Sequence, residues 1–195
     1  MTGRVDGRTV LDTTAVPGGE GLTRRGLLGG PGQWSSDDVV RQRLAIDVTV
    51  LRARDVTYEE RALTEVAVHH ELTHHMLEVE IEVDGVPVTG FGCDGVVCAT
   101  PTGSVALDRL AGGPAVWPDV DALIMAPLRA HGLFSRPLMV PPASRMAVTL
   151  QQGSRPGVLW CDGHRTVPLA AGDRIEVRRS ARAVPVARPG SFSTV

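Results

Sequence analysis

The most conspicuous chemical motif is His70-Glu71-Leu72-Thr73-His74, which has the spacing of a zinc-binding HExxH segment. On a helix, its two histidines would lie one turn apart and share a metal ion, with the glutamate as general base on metal-bound water. However, residues 66–68 and 77–83 on either side have strand patterns. A plain or adventitiously metal-binding loop is therefore expected, and a zinc peptidase with His70 and His74 as ligands is the alternative.

A second motif runs from Asp94 to Ser104, where an apolar strand leads into Thr100-Pro101-Thr102-Gly103-Ser104. Such a turn offers backbone N–H groups and hydroxyls without bulk, and at a helix N-terminus it suits a phosphate or a ribose. We expect a short helix over residues 104–110, with Ser104 as its N-cap. An ordinary strand-to-helix turn with a serine cap would explain the same residues.

The segments around these motifs predict a mainly β protein. Residues 77–83 alternate apolar side chains with glutamates, the pattern of a strand with one buried and one solvated face. Asp84-Gly85 then predicts a hairpin turn. Further short strands are expected at residues 44–50, 66–68, 86–91, 96–99, 122–126, 137–140, 146–151, 158–161 and 175–178. This spacing favours an all-β sandwich-like domain with one or two short helices.

We expect three regions along the chain: an irregular Gly-rich segment at 1–36, the β domain at 37–181 and a tail at 182–195. The formal net charge of −2 gives no footprint for nucleic acid. No apolar run is long enough to span a membrane, and the N-terminus has no signal-peptide pattern, so a cytoplasmic location is expected. Three cysteines without metal spacing are expected to be core thiols.

The second motif and its surroundings resemble the NAD kinase family. That family has an Asp-Gly strand, then Thr-Pro-Thr-Gly-Ser, Thr-Ala-Tyr and Gly-Gly-Pro, which the segment from Asp94 to Pro114 is similar to. Ala62-Leu63-Thr64-Glu65-Val66 resembles the family's Ala-Leu-Asn-Glu-Val. The resemblance covers about residues 43–192. It implies the C-terminal all-β, NAD-binding domain of an enzyme that phosphorylates the 2′-hydroxyl of the adenosine ribose of NAD, with ATP and Mg²⁺.

The resemblance also implies substrate-binding positions. They are Thr64, Glu65, Asp94, Thr102, Ser104, Ala106 and His131. Glu65 and Asp94 resemble residues that meet ribose hydroxyls or the nicotinamide side, and Ala106 resembles an alanine of the adenosine pocket. Two departures weaken the match. Thr64 replaces an adenine-contacting asparagine, and Val105-Ala106-Leu107 replaces Thr-Ala-Tyr, so NAD binding is expected to be weaker.

The N-terminal part of the sequence departs most from the family. The family's catalytic Gly-Gly-Asp-Gly-Thr loop lies in an α/β domain that is largely absent here, and Gly18-Gly19-Glu20-Gly21 only resembles it, with Glu20 in the aspartate's place. A silent NAD(H)-binding or assembly domain is therefore the alternative to an active kinase. Because the β domain would expose the surface its partner domain covers, we expect a homo-oligomer.

Overall fold

A computed structural model describes residues 2–5, 8–11, 39–70, 76–104, 113–130 and 136–188. The chain divides into two compact units, Leu44–Arg182 and Met1–Arg43 with Ala183–Val195. The described strands are β1 (Thr2–Val5), β2 (Arg8–Leu11), β3 (Val39–Arg43), β4 (Ile46–Arg52), β5 (Asp55–Ala62), β6 (Glu65–His70), β7 (Leu77–Val83), β8 (Val86–Cys93), β9 (Gly95–Ala99), β10 (Leu123–Leu128), β11 (Leu138–Val140), β12 (Arg145–Leu150), β13 (Gly157–Cys161), β14 (Arg165–Leu169), β15 (Arg174–Arg179) and β16 (Val184–Arg188).

The larger unit contains two antiparallel six-stranded sheets. Sheet I has the order β5-β4-β15-β12-β7-β8, and sheet II has the order β11-β10-β9-β6-β13-β14. Alternate residues of both sheets meet in one core, which includes Ile46, Ile81 and Val148 from sheet I and Val68, Val96 and Leu159 from sheet II. This arrangement confirms the predicted mainly β, sandwich-like domain.

The two sheets differ on their outer faces. In β7 of sheet I, the buried Leu77, Val79 and Ile81 alternate with glutamates, as the sequence predicts. In sheet II every residue of β9 and β10 is buried. Their outward residues form a second apolar cluster with Val116 and with Ala67 of β6: Val97, Ala99, Ile124, Ala126 and Leu128. The central strands β9 and β10 of sheet II are therefore buried on both faces, which explains their continuous apolar runs.

Tight turns fix the register of the hairpins. Asp84 and Gly85 both have positive φ, which confirms the predicted turn between β7 and β8. Ala53 and Arg54 adopt the same left-handed conformation between β4 and β5. Neither residue is a usual choice for such a turn, so this hairpin could not be predicted from its turn residues.

Several strands lie where the sequence analysis expected none, among them β1, β2, β5, β14 and β16. Edge strand β5 carries polar residues, and edge strand β14 contains Pro168; both lie where a strand needs only one partner and tolerates such residues. The smaller unit holds a sheet of order β1-β2-β16-β3. Strands β1 and β2 therefore lie in the predicted irregular segment 1–36, and β16 lies in the predicted tail 182–195. β1 and β2 pair with each other although their sequences show no marked hydrophobic alternation, which is why they were not expected.

Two further expectations concern helices. Pro101–Gly103 forms a short 3-10 helix, and Ser104 follows it in helical conformation, whereas residues 105–110 lie outside the described part of the chain. Within the described residues, no helix has the length and apolar character needed to cross a membrane.

Candidate functional site

The Thr100-to-Ser104 turn is built by internal hydrogen bonds. Thr100 caps the 3-10 helix, because its backbone is extended and its hydroxyl oxygen accepts from the Gly103 N–H at 3.2 Å. The same hydroxyl donates to the Leu63 carbonyl at 2.7 Å. Ser104 is fully buried; its hydroxyl lies 2.7 Å from the Pro101 carbonyl and accepts from the Val116 N–H at 2.8 Å. Thr100 therefore caps the 3-10 helix. The expected helix that Ser104 would cap has its residues 105–110 outside the described part of the chain, so that cap stays a prediction.

The turn packs directly on the segment that precedes β6. The Thr100 N–H donates to the Thr64 carbonyl at 2.9 Å. A Cβ atom added to Gly103 would lie 2.1 Å from that same carbonyl oxygen, so only glycine fits. The structure therefore brings together four of the predicted binding residues, Thr64, Glu65, Thr102 and Ser104, at one end of β6 and β9. We call this region the turn end.

Glu65 supplies the acidic group of the turn end. It is the first residue of β6 and pairs with Ala99, the last residue of β9. Its Oε2 is buried and has no hydrogen-bond partner among the described residues. Burial raises the pKa of Glu65; the neighbouring Thr64 opposes this shift, while the negative charge of Asp162 adds to it. A buried carboxylate oxygen without a donor is suited to accept a hydrogen bond from a ligand hydroxyl.

Asp162, which directly follows β13, also belongs to this region although it was not among the predicted binding residues. Its carboxylate accepts from the backbone N–H of Thr64 and from the Thr64 hydroxyl, each at 2.8 Å. The hydroxyl of Thr64 is thus directed into the protein. Ninety-eight residues separate the two partners, and no local pattern indicates such a contact.

Asp94 lies at the opposite end of β9. Six residue steps separate it from Thr100, or about 20 Å at the usual strand rise. Its carboxylate accepts from Arg129 at 3.1 Å, and its carbonyl accepts from the His70 N–H at 3.3 Å. Asp94 and Glu65 of the same chain therefore cannot contact one ribose, although the resemblance gave both a ribose-type role.

The histidines of the HExxH motif begin on a strand. His69 and His70 are the last two residues of β6, where they pair with Val158 and Gly157 of β13. Burial lowers the pKa of His69, and the charge of the adjacent His70 lowers it further. The zinc motif needs both histidines on one helix, whereas His70 lies on strand β6. Glu71 to His75 lie outside the described residues. No group of three or more metal-ligating side chains occurs in the described parts of the chain.

Comparison with known proteins decides the family. The model of the ATP-NAD kinase C-terminal domain matches residues 63–188. The chain belongs to the ATP-NAD kinase family. NAD kinase 2 of Streptomyces avermitilis is 53% identical over 149 residues, covering 76% of this chain and 50% of that protein. NAD kinase of Leifsonia xyli subsp. xyli is 49% identical over 162 residues, covering 82% and 53%.

Solved structures of the ATP-NAD kinase family agree with the fold. Yeast NADH kinase complexed with NADH has a TM-score of 0.68 and 26% identity, covering 76% of this chain and 46% of that one. An NAD kinase from Archaeoglobus fulgidus in complex with ATP has a TM-score of 0.62 and 25% identity, covering 77% and 55%. The chain spans about half the length of the curated relatives it matches.

The remaining predicted residues stand differently toward the ATP-NAD kinase match. Ala106 and His131 lie inside the matched range but outside the described residues, so their contacts stay predictions. Glu20 lies outside both. The cysteines Cys93, Cys98 and Cys161 are free and buried, and burial raises the pKa of each thiol. They are core thiols, as the sequence predicts.

Proposed function

We propose that this chain binds NAD at the turn end and serves in transfer of a phosphoryl group from ATP to the 2′-hydroxyl of the adenosine ribose. The observation that carries the proposal is the buried Glu65 Oε2, which has no donor among the described residues and lies beside the Thr100-to-Ser104 turn. Ribose hydroxyls could donate hydrogen bonds to such an oxygen. The named ligands of the two similar structures, NADH and ATP, support the same substrate classes.

The described residues provide for binding and orientation. The small Gly103 lets the turn lie against Thr64, and Thr102 is the half-buried hydroxyl in that turn. Glu65 would accept from a ribose hydroxyl and fix the sugar against the end of β9. Phosphoryl transfer also needs charge neutralisation at the phosphates, which Mg²⁺ supplies when it is bound. Among the described residues we assign no group to that step, and Glu20 stays the only sequence-based candidate.

The test is a calorimetric titration of the full chain with NAD, followed by an assay of the same sample for NADP after ATP and Mg²⁺ are added. Binding that weakens about tenfold in Glu65→Gln, but not in the control Glu80→Gln on the outer face of sheet I, supports the site. NADP formation supports the kinase activity of this chain. Binding without turnover favours the silent NAD(H)-binding domain, and no binding by the wild type contradicts the proposal.

A further inference from the structure

Asp162 holds three consecutive residues that precede and begin β6. Its carboxylate oxygens accept from the Leu63 N–H at 3.0 and 3.1 Å, and from both the N–H and the hydroxyl of Thr64 at 2.8 Å. Its own N–H donates to the Glu65 carbonyl at 3.0 Å. A carboxylate that satisfies several donors at once fixes their relative positions more strictly than a single hydrogen bond does. We call this set of contacts the Asp162 clamp.

The clamp is itself held in place. Asp162 lies in the turn after β13 with a positive φ of 49°, and Arg165 donates to its Oδ2 at 2.7 Å. Arg165 also donates to the Arg61 carbonyl at 2.9 Å and pairs with Glu60 at 3.1 Å. The aspartate is therefore anchored to the end of β5 as well as to the start of β14. Arg165 occupies one acceptor position of the Asp162 carboxylate, and the other positions accept from Leu63 and Thr64.

The opposite side of the clamped segment carries the Thr100-to-Ser104 turn. Leu63 accepts from the Thr100 hydroxyl, Thr64 accepts from the Thr100 N–H, and Gly103 makes its closest approach to Thr64. Residues 63–65 are thus gripped from one side by Asp162 and from the other by the turn. Movement of this segment would displace Glu65 and the turn together.

We infer that Asp162 is a positioning residue for NAD binding, acting through Thr64, and that the Thr64 hydroxyl serves this clamp rather than contacting the nucleotide. The inference rests on the proposed NAD site at the turn end. It explains how Thr64 can occupy the position at which the NAD kinase family is expected to have an adenine-contacting asparagine. The hydroxyl has one hydrogen to donate, and Asp162 takes it.

Three variants separate this role from general stabilisation. Asp162→Asn removes the charge and replaces acceptor positions with donors, while Thr64→Val removes only the hydroxyl and keeps the shape. Asp173→Asn is the matched control. Asp173 is fully buried and accepts from Arg52 at 2.8 and 2.7 Å and from the Ala170 N–H at 2.8 Å. None of the candidate binding residues that the structure describes donates to its carboxylate.

The first readout needs no ligand. Amide hydrogen exchange at Leu63, Thr64, Thr100 and Gly103 should accelerate in Asp162→Asn, and less so in Thr64→Val. In Asp173→Asn these four amides should keep their wild-type rates relative to the rest of the core. Unchanged exchange at all four amides in Asp162→Asn would overturn the clamp, whether or not the chain binds NAD. If Asp162→Asn does not fold, Thr64→Val gives the same test at smaller amplitude.

The second readout is NAD affinity by calorimetry, combined in a double-mutant cycle. Asp162→Asn should weaken NAD binding about tenfold and Asp173→Asn less than twofold. Thr64→Val should weaken binding in the wild-type background and have little effect in the Asp162→Asn background, because both changes break the same contact. Equal effects of Thr64→Val in both backgrounds would mean that Thr64 contacts NAD directly and would overturn the inference. A wild type that does not bind NAD contradicts the proposed function, and the exchange measurement then decides the clamp alone.

Discussion

Sheets I and II share a core, but their outer faces are built for different surroundings. The outer face of sheet I is a lattice of charges in which Arg61 pairs with Asp47, and Arg174 contacts both Glu82 and Glu176. The outer face of sheet II has an apolar cluster at its centre, and one row of paired residues runs from Ala126 through Val97 and Ala67 to the exposed Trp160.

The proposed NAD site lies beside sheet II and not beside sheet I. The charges of Arg174, Glu82 and Glu176 on sheet I are paired with one another and part-buried. Small residues on sheet II let loops approach closely, and the predicted binding residues of the turn end follow or precede its central strands β6 and β9. Only Trp160 at the end of this row is exposed. The expected homo-oligomer stays a prediction, and a monomeric mass in light scattering would count against it.

The largest effect is expected where sheet II meets the turn. Gly103→Ala places a Cβ atom 2.1 Å from the Thr64 carbonyl oxygen, so the turn must move away from β6. We expect NAD binding to weaken about a hundredfold, because the displaced turn loses two or three ligand contacts of about 1 kcal/mol each. Gly153→Ala is the control, because nothing lies within 4 Å of its added Cβ. Equal NAD affinities in the two variants, measured by calorimetry, would remove the turn from the site.

A pair of isosteric exchanges compares the two outer faces directly. Val97→Thr buries a hydroxyl in the apolar cluster of sheet II and should lower the free energy of unfolding by about 1–3 kcal/mol. Thr49→Val on the outer face of sheet I should change it by less than about 0.5 kcal/mol. Urea unfolding of both variants gives the two values. Similar small changes would mean that the outer face of sheet II is as solvated as that of sheet I.

The acidic group of the turn end predicts a pH dependence with a definite sign. Because burial raises the pKa of Glu65, its neutral form persists above the ordinary carboxyl range, and its ionised form destabilises the unliganded protein above the pKa of the unfolded state. NAD affinity should rise with pH as Glu65 ionises and accepts from the ribose. At neutral pH, Glu65→Gln should stabilise the unliganded chain yet bind NAD about tenfold more weakly.

Calorimetry and thermal unfolding at several pH values check both signs. If Glu65→Gln is less stable than the wild type and binds NAD with the same affinity, Glu65 supports the fold and does not bind the ligand. A wild type whose NAD affinity is flat with pH would likewise remove the ionised Glu65 from the site.

The smallest effect is expected on the charged face of sheet I. Arg145 is largely exposed and lies 3.8 Å from Glu176. Arg145→Gln should alter the free energy of unfolding by less than about 0.5 kcal/mol and leave NAD affinity unchanged. Urea unfolding and calorimetry measure the two quantities. A loss of NAD affinity in this variant would place a ligand on sheet I and reverse the comparison.

The same contrast explains what could be predicted from the sequence. The alternation in β7 predicted sheet I, and the turn after β9 predicted where small residues and hydroxyls gather, because both signals are local. The Ala53-Arg54 hairpin gave no signal, since its residues are not those that usually adopt positive φ. The Asp162 clamp could not be predicted, because it joins residues 98 positions apart through side-chain geometry alone.

The most direct test of the central claim is a two-dimensional amide NMR spectrum of the full chain during titration with NAD. We predict saturable shift changes centred on Thr64, Glu65 and Thr102, with β4 and β15 of sheet I unaffected. Shift changes confined to sheet I, or none at NAD concentrations that saturate a full-length NAD kinase, would contradict a nucleotide site at the turn end.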